Sequence, residues 1–244
     1  MTTQLEKVSR HYDEMADVYD RRYDRSRGRC YYGHISRFVL DRLPEGGKIL
    51  DIGCGTGLFV QEYLANGGSA VGIDISRGMI GRARDRCPKS DFTVGTAERI
   101  PFLDNSFDAV SSLLAFSYVK NPGRVLSEAF RVVRPGGYIA VCTLGKNFFT
   151  AGLPAVYRIG EAMKIRQVGV GAFGERYYRG EEMRSLFRQA GFTDITIQRC
   201  SFAHINLIDP LFHLARKIEP FVERRIPYLA YNICASGRKP DIAE

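Results

Sequence analysis

Asp51 and the glycines at 53, 55 and 57 fall within seven positions of the stretch ILDIGCGTGLFV (49–60), and they are the first candidates for chemistry. Glycine weakens helices and strands alike, so three of them behind an apolar run point to a tight turn whose bare backbone meets a ligand. Nicotinamide dinucleotides, nucleotide phosphates and S-adenosylmethionine (SAM) can all be met by such a loop. A Walker-type phosphate loop needs G-x-x-x-x-G-K-[ST], and no lysine or serine follows Gly57 in that register. A dinucleotide fingerprint needs G-x-G-x-x-G, and Leu58 stands where its third member would be sought. Asp51 is an awkward charge to aim at a pyrophosphate but a natural one to aim at an ammonium or, through water, at a sulfonium. Asp74 lies 21 residues beyond Gly53, where a carboxylate can accept both hydroxyls of an adenosine ribose. A nicotinamide enzyme would share that carboxylate, so only the loop discriminates. Asp74 could alternatively cap the helix that follows it.

The elements around these residues must form an open sheet. KILDIG, SAVGIDIS, DFTVGTAE, FDAVSSLLAF and YIAVCTLG read as strands, with helical segments GLFVQEYLANG, RGMIGRARDRC and GRVLSEAFRVVRPGG between them. Such alternation predicts a parallel sheet covered by helices on both faces. In such a sheet ligands sit outside the carboxyl ends of the strands, which is where the glycine loop falls. The first 45 residues read as helices, with Leu5, Val8, Tyr12, Met15 and Tyr19 at helical spacing, and PEGG (44–47) ends them. The helix RGEEMRSLFRQAG and the strands DITIQRCSF and YNICASGRKP complete the pattern. Two irregular segments, 147–176 and 201–230, read as lid insertions, the second as helix broken at Pro210 and Pro220. The expected organisation is one domain over 1–244: a helical cap (1–45), a core (46–146) and the two insertions.

Composition narrows the classes. The chain has 244 residues, 45% hydrophobic and 25% charged, as an ordinary globular protein does. No apolar run approaches the ~20 residues of a membrane span. The polar start MTTQLEKVSRHYDE lacks the apolar centre of a secretory signal, so a cytoplasmic address is expected. Six cysteines are scattered singly with no CxxC pair, which argues against a zinc site, an iron–sulfur cluster or any other metal centre and for reduced, buried thiols. The net charge is +8, and the arginines are densest at RRYDRSRGR (21–29). That balance could suit nucleic acid, an anionic surface or an acidic substrate, or could be solvated surface charge.

The stretches LDIGCGTG, VGIDIS, GTAERIPFLDNSFDAV and EAFRVVRPGGYIAV, in this order, resemble the successive motifs of class I SAM-dependent methyltransferases. They are most similar to the small-molecule branch that includes the ubiquinone and menaquinone methyltransferases, and the likeness runs over about 45–146 and 177–199. The resemblance implies a Rossmann-like, doubly wound α/β fold: a seven-stranded, mostly parallel sheet with helices on both faces and an added helical lid. It also implies SAM as cofactor, with S-adenosylhomocysteine as product. Gly53, Gly55 and the loop backbone, with Cys54 inside it, would border the methionine moiety, and Asp51 would hold its amino group. Asp74 would bind the ribose diol, Ile75 would lie beside the adenine and Met79 below it. Many members carry Asp at the position of Thr96; here the motif reads Thr96-Ala97-Glu98, so the adenine contact must come from the hydroxyl or from backbone groups. Leu114 and Ala115 would flank the reactive methyl, and Tyr19 matches a tyrosine that closes over SAM. Tyr19 could alternatively be a packed helix aromatic, and Glu98 and Asp104 solvated loop acids.

If the acceptor atom is a hydroxyl or an acidic carbon, a base near the methyl helps. Tyr118, where the family often has a histidine, is the catalytic candidate, with Ser117 adjacent and His34, His204 and His213 as further possibilities; His11 sits in the first helix. The aromatic and aliphatic residues of the insertions (Phe148, Phe149, Leu153, Tyr157, Phe173, Phe202, Leu207, Leu211, Phe212, Phe221, Tyr228) suit either a lid core or an apolar acceptor pocket. LFHLARKIEPFVERRIPYL mixes such anchors with Arg216, Lys217, Arg224 and Arg225 and could touch an anionic membrane. Nucleic acid is not expected as a partner: the amino-methylating motif [DNS]-P-P-[FYW] is replaced by SLLAFSYV, and no RNA-binding module is visible. A SAM-binding protein without turnover is the remaining alternative.

Overall fold

Alternation of apolar residues along short strands, with helices between them, produces the sheet. The computed structural model describes residues 4–147, 175–205 and 207–241. Strands β1 (Lys48–Ile52), β2 (Ser69–Asp74), β3 (Asp91–Val94), β4 (Phe107–Leu113), β5 (Val133–Leu144), β6 (Thr193–Cys200) and β7 (Asn232–Arg238) form one sheet in the order β3-β2-β1-β4-β5-β7-β6. The first five run parallel, and β7 is antiparallel to both β5 and β6. This is the expected seven-stranded, mostly parallel architecture. The strand order reverses between β1 and β4, so their carboxyl ends open a crevice at that point.

Successive residues of a strand serve opposite faces. Ile49 and Ala109 pack with Tyr31, Ile35 and Val39 of α3 (Ser26–Leu40), Phe59 and Tyr63 of α4 (Leu58–Ala65) and Ile80 of α5 (Arg77–Arg86). Leu50, Ile52, Val110 and Ile139 pack on the other face with Val125, Leu126 and Ala129 of α6 (Pro122–Val132) and Met183 and Phe187 of α7 (Gly180–Gln189). Helix starts follow local chemistry. Ser76 caps α5 by accepting from the Met79 amide at 3.1 Å, and Asn121 caps α6 with Pro122 in its first turn.

The N-terminal region is helical as expected, in three pieces: α1 (Gln4–Met15), the short α2 (Arg21–Asp24) and α3. Helix α1 lies across the carboxyl end of β2. Its Asp13 accepts from Ser76 Oγ (2.6 Å) and the Gly78 amide (2.9 Å), and Ser9 donates to the Ile75 carbonyl (3.2 Å). Asp17 pairs with Arg82, and Asp20 accepts from Arg86 at 2.6 Å and from Thr56 Oγ1 at 2.7 Å.

Two expectations about element ends change. The segment GRVLSEAFRVVRPGG is helical only to Val132; β5 begins at Val133 and carries Pro135-Gly136-Gly137 within it. In the second insertion, Pro210 occupies the first turn of α8 (Asp209–Arg225) and Pro220 lies inside that helix without breaking it. Phe212, Ala215, Glu219 and Val222 give α8 a buried stripe, and Ser201 and Ala203 donate their amides to Glu223 (2.6 Å) and Glu219 (2.8 Å). The first insertion lies outside the described residues except at its ends, and Phe148, Phe149, Leu153, Tyr157 and Phe173 fall there. Among the described residues no helix is long and apolar enough to cross a membrane.

Candidate functional site: two cavities with a common wall

The glycine loop leaves β1 and turns at once. Gly53, Gly55 and Gly57 all hold positive φ (70°, 53° and 80°), which only glycine adopts without strain. A Cβ at Gly53 would come within 2.1 Å of the Ala115 Cβ, so the loops after β1 and β4 meet there with no room for a side chain. A Cβ at Gly55 would meet nothing within 4 Å and would project into open space. The loop amides are largely spent inside the protein: Gly53 and Cys54 donate to the Ile73 carbonyl, Gly55 to Asp74 Oδ2 (2.9 Å) and Gly57 to the Cys54 carbonyl. What this loop offers a ligand is space more than donors.

That space is a cavity lined by Gly53, Gly55, Asp74, Ile75, Met79, Thr96, Ala97, Glu98, Leu114, Ala115, Tyr19 and Tyr118, among others. The sequence thus places residues from four loops and the N-terminal helices on one surface. Asp74 does not cap α5, a task Ser76 performs. Its two oxygens each accept one backbone amide, from Gly55 and from Ser76 (2.9 Å each), which leaves lone pairs for a diol. Burial pushes its carboxyl up against the pull of those amides. The open cradle at Gly55 and this half-satisfied carboxylate fit an adenosine-bearing ligand with a cationic tail.

Two candidates lie behind the wall. Asp51 is buried with Oδ1 accepting from Ser111 Oγ at 2.8 Å, and burial pushes its carboxyl up to about 7, with the Asp74 charge adding to the rise. Cys54 turns its thiol toward the sheet, where a Cβ on Gly72 would meet its Sγ at 2.7 Å. Glu98 lines the cavity yet accepts from the Lys120 amide (3.1 Å), and Asp104 pairs with Arg131.

Leu5, Val8 and Tyr12 of α1 also line this cavity. In the sequence these three show only helical spacing, i, i+3, i+7, which marks one helix face without saying what the face covers.

A second cavity shares Tyr12, Tyr19, Leu114 and Tyr118 with the first and continues along Arg21, Arg22, Tyr23, Arg25, Arg27, Tyr31, Leu144, His204 and Ile205. Leu114 holds φ 63°, a rare conformation for a branched residue, pinned by its amide on the Cys142 carbonyl at 2.7 Å. The rings of Tyr12 and Tyr118 meet edge to face at 5.8 Å, with their hydroxyls hydrogen-bonded to each other. Burial pushes Tyr118 up to about 12, so it keeps its proton at neutral pH. His204 is pushed down to about 4 by burial and the nearby Arg22. The other polar candidates are elsewhere: Ser117 bonds Thr143 Oγ1 at 2.6 Å, and His34 bonds Glu223 at 2.7 Å.

The scattered cysteines converge in part. Cys142, Cys200 and Cys234 meet in the core between β5, β6 and β7, with sulfur separations of 4.0 Å (142–200) and 3.4 Å (200–234), and all are free thiols.

Residues 50–141 match the family model of a methyltransferase domain. The chain is 35% identical over 147 residues to the demethylmenaquinone methyltransferase of Renibacterium salmoninarum, a match spanning 59% of this chain and 61% of that one. It is 30% identical over 174 residues to the demethylmenaquinone methyltransferase of Tropheryma whipplei, over 66% of this chain and 73% of the relative. A SAM-dependent methyltransferase of Thermotoga maritima, described as a possible histamine N-methyltransferase, superposes with a TM-score of 0.71 at 25% identity, covering 95% of this chain and 99% of that one.

Proposed function

The chain belongs to the class I SAM-dependent methyltransferases, and from that premise we propose that it methylates a small acceptor with an apolar body, of the quinone or lipid-like kind, received in the second cavity. The observation that carries this reading is the wall of Tyr12, Tyr19, Leu114 and Tyr118 common to both cavities. Bound SAM supplies a methyl group on a sulfonium, whose displacement needs little beyond in-line alignment.

The residues provide that alignment. Asp74 receives the ribose hydroxyls, Ile75 and Met79 flank the adenine, and Thr96, Ala97 and Glu98 close its far side. Gly53 and Gly55 make room for the methionine tail, and Asp51, buried behind them, gains its charge as the tail's ammonium arrives, since an opposite charge nearby lowers a carboxyl that burial has raised. Tyr19 and α1 cover the site and exclude water. Leu114, held in its strained conformation, stands in the wall that the two cavities share. Tyr118 donates its proton in a hydrogen bond to an acceptor oxygen and so orients the acceptor.

Incubation of cell extract with the enzyme and methyl-labelled SAM tests the reading. Label should enter the organic-extractable small-molecule fraction; label confined to nucleic acid or protein would overturn it.

The outer face of α8 favours a second element of the same reading. Leu211, Leu214, Ile218 and Phe221 lie on one side of the helix and are exposed, with Lys217, Arg224 and Arg225 beside them. An anionic bilayer matches both the apolar anchors and the positive flank, and a lipid-like acceptor would be met there. Co-sedimentation with phosphatidylglycerol vesicles at low salt is expected, weakened in Phe221→Ser; absence of binding by the unmodified protein would remove the membrane role.

A further inference from the structure

The two cavities differ in charge. Among the described residues, the first is lined by two carboxylates, Asp74 and Glu98, and by no basic side chain. The second is lined, among the described residues, by four arginines and by no acidic residue. Arg27 is already engaged, donating to Asp209 at 2.7 Å and to the Leu207 carbonyl at 2.6 Å. Arg21, Arg22 and Arg25 form no ion pair with a carboxylate among the described residues. Arg22 lies with its guanidinium 5.3 Å from the Tyr19 ring centroid and 5.9 Å from that of Tyr23, so aromatic faces hold it at the cavity without neutralising it. The positive field is felt across the cavity, where it helps keep His204 uncharged.

Arginines that line one cavity without carboxylates repel one another. An oxyanion relieves the repulsion and meets the planar donors of the guanidinium in a charge-assisted pair. The tyrosines 12, 19, 23, 31 and 118 add flat apolar faces and hydroxyl groups around the same space.

We infer that the methyl acceptor is an acid: a flat, largely apolar molecule whose oxyanion group, carboxylate or phosphate, is held by Arg22 and Arg25 while its body lies among the tyrosines against Leu114. This rests on the proposed reading of the second cavity as the acceptor site and specifies the substrate class within it. Catalysis then joins a cationic donor in an acidic cavity to an anionic acceptor in a basic one, and each is disfavoured in the other's place. The dense arginine run at 21–29 is the sequence feature that becomes functional here, through Arg22 and Arg25.

Calorimetric titration of the S-adenosylhomocysteine-loaded protein with two matched pairs tests the inference: 1-hydroxy-2-naphthoate against 1-naphthol, and phenyl phosphate against phenol. The acid of at least one pair should bind about tenfold or more tighter than its neutral partner at low salt, the scale of one charge-assisted hydrogen-bonded pair. That preference should shrink in Arg22→Gln/Arg25→Gln and return in part in Arg22→Lys/Arg25→Lys, with circular dichroism reporting the fold of each variant. Acid and neutral partners binding alike, or no acid binding in either pair, overturns the inference. An acid preference that survives in a folded Gln variant overturns it as well. Tight binding of the neutral partners alone would leave a small apolar acceptor in place while removing its acid group, so the two readings fail separately.

Discussion

The two cavities share a wall but are made from different kinds of sequence. The first is built from the ends of consecutive strands: residues 53 and 55 follow β1, 74 ends β2 and 75 follows it, 96 to 98 follow β3, and 114 and 115 follow β4. Its lining there is loop backbone, small side chains and two carboxylates, Asp74 and Glu98, roofed by the aromatic and aliphatic residues of the N-terminal region. The second is assembled from α2, α3, the end of β5 and the segment at 204–205, which are far apart in the chain. Its lining is arginine and tyrosine. A donor site shaped by backbone tolerates almost no change at its glycines, whereas an acceptor site shaped by long side chains can be altered without disturbing the sheet.

Gly53→Val breaks the first cavity most severely. With φ at 70° and Ala115 Cβ 2.1 Å from the new Cβ, the loops after β1 and β4 must separate, and SAM affinity should fall by roughly 100-fold or more by calorimetry. Leu114→Gly acts on the common wall: loss of the side chain that stands between the two cavities should cut kcat by about tenfold in steady-state assays.

Asp13→Ala loosens the roof, since it removes the acceptor of Ser76 Oγ and the Gly78 amide. A destabilisation of about 1 kcal/mol is expected in denaturant melts, with a several-fold weaker SAM affinity and little change in the second cavity.

Asp51→Asn sharpens the picture through pH. The folded protein holds this carboxyl at about 7, above its ordinary 3.8, so its protonated form is the one favoured by folding. Its contribution is full below the ordinary value and is lost as pH rises through about 7. Thermal melts from pH 5 to 8 should therefore show the Asn variant gaining stability relative to the parent as pH increases, by a few degrees at pH 8. A pH-independent difference would contradict the buried carboxyl as described.

The residues proposed for the donor site could be singled out in the sequence because they lie in short contiguous motifs at strand ends, and the alternation of apolar runs with helical segments announced the sheet. The roof could not, because Leu5, Val8 and Tyr12 carry the same spacing whether a helix covers a core or a ligand. The internal use of the loop amides was likewise hidden, since glycine spacing announces a turn without saying where its N–H groups point. Arg22 and Arg25 read as surface charge until the fold set them beside Leu114 and Tyr118. Cys142, Cys200 and Cys234 met only through the antiparallel pairing of β7 with β5 and β6, which no linear spacing reveals. Pro220 looked like a helix breaker, and α8 carries it without a break.

The central claim is that the cavity at the carboxyl ends of β1, β2 and β4 holds SAM through the Asp74 carboxylate. Calorimetric titration of SAM into the parent protein and into Asp74→Ala tests it directly. Loss of the hydrogen bonds from a charged acceptor should weaken binding by about 10- to 100-fold. Unchanged affinity in the variant would contradict the claim.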